Sequence, residues 1–460
     1  MAATTLELDD IQGIILRGYA AMQAAAFVLL EVTDPAKAKA WLAALPLTTA
    51  AVEPREAAAC TNVAFTAAGL MRLGLPRETL EGFSRELQDG MVTRHRKRLL
   101  GDGDTSAPAH WWWGRAPADA ASSEDDVPDP RLHVMLLLYA RTDGELAERV
   151  ADHRAEQAAS GLAELGLLST QLLADRKEHF GFRDGVSQPE VRGFHDRRPG
   201  SHANTINAGE ILLGYPNEYG KLPAGPAFGR NGSYLVARTL RQDVGAFWSF
   251  VAAEAERLGV QPEWLASRMV GRWPSGAPVI GYADADPGRN AADENDFGFA
   301  SEDRLGHVCP IGSHIRRTNP RDDMIDFGKE EAIKLVNRHR IVRRGRAFGR
   351  PVDPTMTPRE LLRSDDVDDE RSGRGLHFLC FCADISRQFE FTQNTWMNNP
   401  KGLGLYDDPD PIAGPGGGCF TMQADPVRKR VTGVPRFVHV RGGAYLFMPG
   451  IAATRELARP

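Results

Sequence analysis

The sequence predicts a mixed α+β protein organised as two domains. Length and composition set the scale, because 460 residues with 42% hydrophobic content can bury more core than one average domain needs. Strand and helix signals alternate through the first third of the chain. That patterning stops after Gly185 and resumes near Tyr234, which makes the loop following Gly185 the natural boundary.

Taken in order, Asp10–Tyr19 (DIQGIILRGY) and Ala25–Val32 read as strands, and Asp34–Leu45 as a helix opened by Asp-Pro. Arg131–Ala140 is another strand, Gly144–Leu165 a charged helix, and Leu376–Ala383 a strongly apolar strand. Gly101–Pro130, which holds Trp111, Trp112 and Trp113, and His195–Gly232 are loop-like in their Gly, Asn, Pro and Asp content. Gly414–Gly418 (GPGGG) reads as a turn.

Composition narrows the function. A formal charge of −6 gives no global attraction to nucleic acid or anionic lipid, so small molecules are the expected partners. The start MAATTLELDD is acidic where a leader would be basic, and the apolar stretches Ala20–Val32 and Val134–Ala140 are too short to span a bilayer. The expectation is a soluble, cytoplasmic protein. Five cysteines, an odd number, argue against a disulfide framework. Cys380 and Cys382 share one face of their strand, where packing is the simpler role than metal binding. GxSxG, HExxH and paired CxxC motifs are absent, and Gly214–Leu222 has the wrong spacing and a Leu in place of the Ser or Thr of a phosphate loop.

Three segments carry candidate chemistry. In Cys309–Asp322 (CPIGSHIRRTNPRD), His314 lies between two prolines that confine any helix to a short element. A neutral imidazole there suits heme iron, one ring nitrogen binding metal while the other donates to a carboxylate, although a lone histidine is more often structural. In Phe180–Glu190 (FGFRDGVSQPE), Gly181 and Gly185 bracket Asp184 on a tight loop, which is either a plain turn or a carboxylate whose partial desolvation tunes it to move a proton. Arg338–Arg350 (RHRIVRRGRAFGR) holds six arginines. Most of them read as a solvated basic face opposite the acidic run Asp365–Glu370, with Arg343 or Arg344 as the candidate to stabilise a developing oxyanion.

These segments together resemble the dye-decolorising peroxidase family. GxxDG occurs as Gly181-Phe182-Arg183-Asp184-Gly185, HxRRxNPR as His314 to Arg321, and IVRRG as Ile341 to Gly345. The resemblance extends over nearly the whole chain, through AFTAAGLMRLGLP at Ala64, GEILLGYPNEYG at Gly209 and RGGAYLFMPG at Arg441. It implies two ferredoxin-like α+β domains of the dimeric α/β-barrel-like superfamily, with antiparallel sheets packed together and helices outside. Residues 1–190 would carry the distal loop at their end, and residues 191–460, with a long inserted loop near 195–232, would bind heme.

Residue by residue, the resemblance implies His314 as iron ligand, Asp184 as distal acid–base group and Arg343 as distal arginine. Gly185, Val186 and Ser187 would line the heme. Asn319 and Arg321 would lie near the porphyrin, Arg321 beside a propionate, unless they merely cap and solvate a helix end. Asp410 in Asp-Pro is the family's acid behind the proximal histidine, with Asp408 as competitor. One non-covalent heme b per chain is implied, since no CxxCH is present.

The implied activity is reduction of hydrogen peroxide and one-electron oxidation of dyes, phenols and related donors via an oxoferryl porphyrin radical. The alternatives are a heme-binding or iron-release protein and, with little support in the tail GIAATRELARP, an encapsulated cargo protein. Whether the chain is a monomer or a homo-oligomer stays open. One departure stands out, because Phe348 replaces the surface tyrosine of some relatives. Tyr406, Tyr445, Trp396 and Trp111–Trp113 are then the remaining oxidisable candidates, each with core or loop packing as the simpler role.

Overall fold

A computed structural model describes residues 5–116, 127–194, 205–324, 327–363 and 373–460. The acidic run Asp365–Glu370, along with parts of both loop-like stretches, lies outside the described residues.

In the N-terminal half, β1 (Ala24–Val32), β2 (Ala59–Phe65), β3 (Val134–Ala140) and β4 (Leu162–Ser169) form antiparallel pairs in the order β4-β1-β3-β2. Two helices connect them on the outside. In α1 (Pro35–Ala44) the Asp34 side chain accepts from the backbone N–H groups of Ala36 and Lys37, and Pro35 supplies a preset first turn. In α2 (Asp143–Ser160), Thr142 and Glu145 form a reciprocal capping box.

The C-terminal half repeats the plan. There β5 (Ser233–Gln242), the short β6 (Val342–Arg343) and β7 (Arg346–Phe348), β8 (Gly375–Cys382) and β9 (Val438–Met448) stand in the order β9-β5-β8-β6, with β7 also on β8. With β6 and β7, which both pair with β8, counted as one interrupted strand, both halves read fourth-first-third-second, the ferredoxin-like order. The halves meet where Phe65 of β2 pairs with Phe447 of β9, so one sheet of nine strands runs through the molecule.

Both sheet faces are buried. Val28, Leu30, Leu136, Phe65 and Phe447 belong to one core, and Phe27, Leu29, Leu137, Tyr139 and Leu446 to the other. That explains why these strands read as continuous apolar runs rather than alternating ones. Cys380 and Cys382 pack side by side in the first core, and all five cysteines are free and buried. No helix among the described residues is long and apolar enough to cross a membrane.

Two element assignments are corrected. Asp10–Tyr19 contains a single helical turn, Gly13–Leu16, with all four residues buried. Short apolar runs do not distinguish strand from buried helix. Here the Gln12 side chain, together with a single antiparallel bridge to Thr49 rather than a ladder, docks the segment, accepting from Val63 N and donating to the carbonyls of Val63 and Pro449. The charged helix stops at Ser160, because Gly161 takes a left-handed conformation (φ 63°) that ends it, and Leu162 opens β4.

Candidate active site

One cavity of about 290 Å³ gathers the predicted residues, for Asp184, Gly185, Val186, Ser187, His314, Asn319, Arg321 and Arg343 all line it. Asp410 stands behind His314. The cavity opens against the C-terminal half of the sheet, with Arg238 and Leu240 of β5, Leu376 and Phe378 of β8, and Val438 and Val440 of β9 as one wall.

His314 begins a five-residue helix, His314–Thr318. Its Nδ1 lies 2.9 Å from Asp410 Oδ2, which leaves Nε2 as the ring nitrogen free for a metal. Asp410 is itself fixed, since Oδ1 accepts from the N–H groups of Ile412 and Ala413, both at 2.9 Å. Burial opposes charge on His314, but the Asp410 carboxylate outweighs it and holds the imidazole above its ordinary pKa. Asp410 moves the opposite way, below the usual carboxylate value, because His314 and those N–H groups overcome burial. Asp408 is buried with neither carboxylate oxygen hydrogen-bonded among the described residues, and Arg430 lies 3.7 Å from its Oδ1. The histidine's carboxylate is therefore Asp410.

Across the cavity, the Asp184 loop hangs on an aromatic anchor. Phe180 packs on Phe247, Phe182 stacks on Trp248, and Trp248 Nε1 donates to the Phe180 carbonyl, tying the loop to the helix Val244–Leu258. Arg343 Nη1 donates to Asp184 Oδ1 at 2.9 Å, while Arg343 N donates to Gln188 Oε1 at 3.0 Å. Desolvation alone would raise the Asp184 pKa. Arg343 and the Gly185 N–H outweigh it, so the carboxyl lies below its ordinary value and is ionised at neutral pH.

The basic segment is not a solvated face. Of its six arginines only Arg350 is exposed. Arg344 turns away from the cavity to the carbonyls of Ile14, Ile15 and Leu16, and Arg346 reaches those of Tyr19 and Met22. These guanidiniums take up the backbone carbonyls of the segment read as a strand, and Arg343 alone faces Asp184.

Val186 and Ser187 continue the loop, where Ser187 Oγ donates to Asn295 Oδ1 at 2.9 Å. Asn319 caps the His314 helix, yet its Oδ1 is buried with no hydrogen-bond partner among the described residues. Arg321 is buried over the Phe297 ring and donates to the carbonyls of Asn295 and Phe297. Asn319 thus caps the helix, and Arg321 does more than solvate its end.

No family model matches the chain. Peroxidase 2 of Mycetinis scorodonius is 30% identical over 491 residues, spanning 99% of this chain and 88% of that protein, and the dye-decolorizing peroxidase of Mycena epipterygia is 30% identical over 510 residues, spanning 98% and 87%. This chain belongs to the dye-decolorizing peroxidase family. A dye-decolorizing peroxidase solved in complex with 2,6-dimethoxyphenol has the same fold, with a TM-score of 0.81, 26% identity, and 99% and 100% of the two chains covered. Another, whose heme pocket was engineered for asymmetric sulfoxidation, matches with a TM-score of 0.80, 26% identity and the same coverage.

Several residues of this peroxidase site escaped the sequence reading. Arg272 is buried on the cavity wall and donates to the carbonyls of Gly276 and Glu294, to Ser187 Oγ and to Asn295 Oδ1. Glu178, beside the cavity, accepts from Phe180 N, Phe182 N and Gln242 Nε2, and burial pushes its carboxyl up to about 7. Arg317 anchors the His314 helix to the carbonyls of Trp396, Asn399 and Asp408, holding it against the Asp410 segment. Only Arg317 carried a sequence signal, its place in HxRRxNPR, and that did not say what it holds. Phe348 is buried against His377 (centroids 4.4 Å) and beneath the half-exposed Trp112, so this position is not a surface one. Among the other aromatic candidates Tyr406 is exposed, whereas Tyr445, Trp396 and Trp111 are buried.

Proposed function

We propose that this peroxidase binds one non-covalent heme b in the cavity, with His314 Nε2 as the protein's iron ligand and Asp184 and Arg343 as the groups that act on hydrogen peroxide. The residues present fit that cofactor. The wall of Leu240, Leu376, Phe378, Phe389, Met397 and Ile412 is apolar enough for a porphyrin face. Seven arginines line the cavity, and of these Arg183, Arg238 and Arg343 are paired with carboxylates while Arg272, Arg321, Arg340 and Arg436 have none among the described residues, a surplus that suits a ligand carrying acidic side chains.

Heme bound there would supply the redox chemistry, storing the two oxidising equivalents of peroxide for one-electron donors. The chain's part is to move protons and charge. Asp184, ionised and held by Arg343, takes a proton from peroxide and returns it to the oxygen that leaves as water. The Arg343 guanidinium, permanently charged, stabilises negative charge growing on that oxygen. Asp410, accepting from Nδ1–H, makes His314 a stronger donor. Small phenols and dye-like donors are the proposed reductants, supported by the dimethoxyphenol complex of the solved relative. Five free, buried cysteines agree with a cytoplasmic setting.

The single observation that carries this reading is the facing pair of His314–Asp410 and Asp184–Arg343 on one cavity. Stopped-flow mixing of heme-loaded protein with peroxide tests it. Asp184→Asn and Arg343→Leu should each slow the first step by about 10²–10⁴-fold with heme loading nearly intact. Unchanged kinetics in both variants would refute the distal assignment.

A further inference from the structure

Among the buried arginines of the site, Arg340 is set apart by what its side chain lacks. It is 5% exposed and lines the cavity, yet among the described residues its guanidinium has no hydrogen-bond or ion-pair partner. Its backbone alone is engaged, with N donating to Asn337 O and O accepting from Gln388 Nε2. Its neighbours are satisfied in other ways, Arg343 on Asp184 and Arg272 and Arg321 on carbonyls and Asn295. Arg340 also feels like charge. Arg343 lies close enough to lower its pKa, Arg340 in turn lowers that of Arg321, and burial takes Arg340 itself down to about 10.

A buried guanidinium without an acceptor is strongly unfavourable, and repulsion from two neighbouring arginines makes it more so. Such a group persists when an anion completes it. We propose that Arg340 is the site for one carboxylate side chain of the heme, a role distinct from that of Arg321. The inference rests on the heme reading above. Its chemical ground is that a planar guanidinium fork matches a carboxylate with two parallel charge-assisted hydrogen bonds, and no carboxylate among the described residues supplies them.

The test measures heme release from the holoprotein to excess apomyoglobin, for wild type and Arg340→Met, with heme and with heme dimethyl ester. Methionine keeps most of the volume and removes the charge. Arg340→Met should release heme about 10- to 100-fold faster, the range expected for losing a charge-assisted hydrogen bond. With the ester, whose side chains are neutral, wild type and variant should release at the same rate. Arg340→Lys, retaining charge without the fork, should fall between and guards against a folding defect in the methionine variant. Equal heme release in all three proteins would overturn the proposal, as would an acceleration by Arg340→Met that is just as large with the ester. A wild type that takes up heme with a histidine-type spectrum and still shows either result defeats this inference alone. A wild type that takes up none defeats the heme reading with it.

Discussion

Desolvation and Arg343 pull the Asp184 carboxyl in opposite directions, and the guanidinium wins. The sign of that balance is measurable. A base with a depressed pKa works at every pH above that value and fails only as acid titrates it, so the acid limb of the peroxide-step profile should lie below the ordinary aspartate range. Removing the cation leaves burial unopposed. Arg343→Leu should therefore move the acid limb to higher pH as well as lowering the plateau, and a lowered plateau with an unmoved limb would show that Arg343 does not set the ionisation of Asp184. At this scale much was legible, because Asp184, His314 and Arg343 sit in motifs whose residue types announce their chemistry. Glu178 and Arg272 were not legible, since each reaches the cavity from segments whose composition carries no signal for it, and Arg340, inside the basic segment, read as part of a solvated face.

At the scale of elements, the loop that presents Asp184 depends on two glycines with left-handed backbones, Gly181 at φ 92° and Gly185 at φ 80°. Their surroundings differ. A Cβ on Gly181 would meet Leu361 Cδ1 at 2.8 Å and the Met356 carbonyl at 3.1 Å, whereas one on Gly185 meets nothing within 4 Å. Alanine at either site bears the left-handed penalty of about 1–2 kcal/mol. Gly181→Ala adds a steric collision, so it should lower the melting temperature more than Gly185→Ala, and the opposite order in thermal melts would contradict the loop geometry. Helix boundaries with side-chain signals were readable in advance, as at Asp34 and the start near Thr142. The turn Gly13–Leu16 was not, because four buried apolar residues have no period and the docking is done by partners distant in sequence, with Gln12 reaching Val63 and Pro449 and Arg344 reaching the carbonyls of Ile14, Ile15 and Leu16.

For the whole molecule, the ferredoxin-like order of each half and the pairing of the halves are long-range facts that local patterning cannot encode. The residue pattern reached only a mixed α+β class, and the family resemblance supplied the rest. We propose that the seam in sequence divides 1–190 from 191–460, with the Asp184 loop carried by the first part onto the second. The two halves share cores on both sheet faces, so they should unfold together. Phe447, fully buried, pairs with Phe65 and packs on Phe83 at 4.5 Å, so Phe447→Ala should cost about 3–5 kcal/mol, with circular dichroism and tryptophan fluorescence melting in one coincident transition. Two separated transitions would mean that the halves are independent. The central claim is that the cavity holds heme on His314, and the ultraviolet–visible spectrum of heme-loaded wild type and His314→Ala tests it most directly. The account predicts a Soret band typical of a histidine-ligated ferric heme in wild type, changed by one equivalent of peroxide, and loss of most bound heme in His314→Ala. A variant that keeps the same Soret band and the same response to peroxide would contradict it.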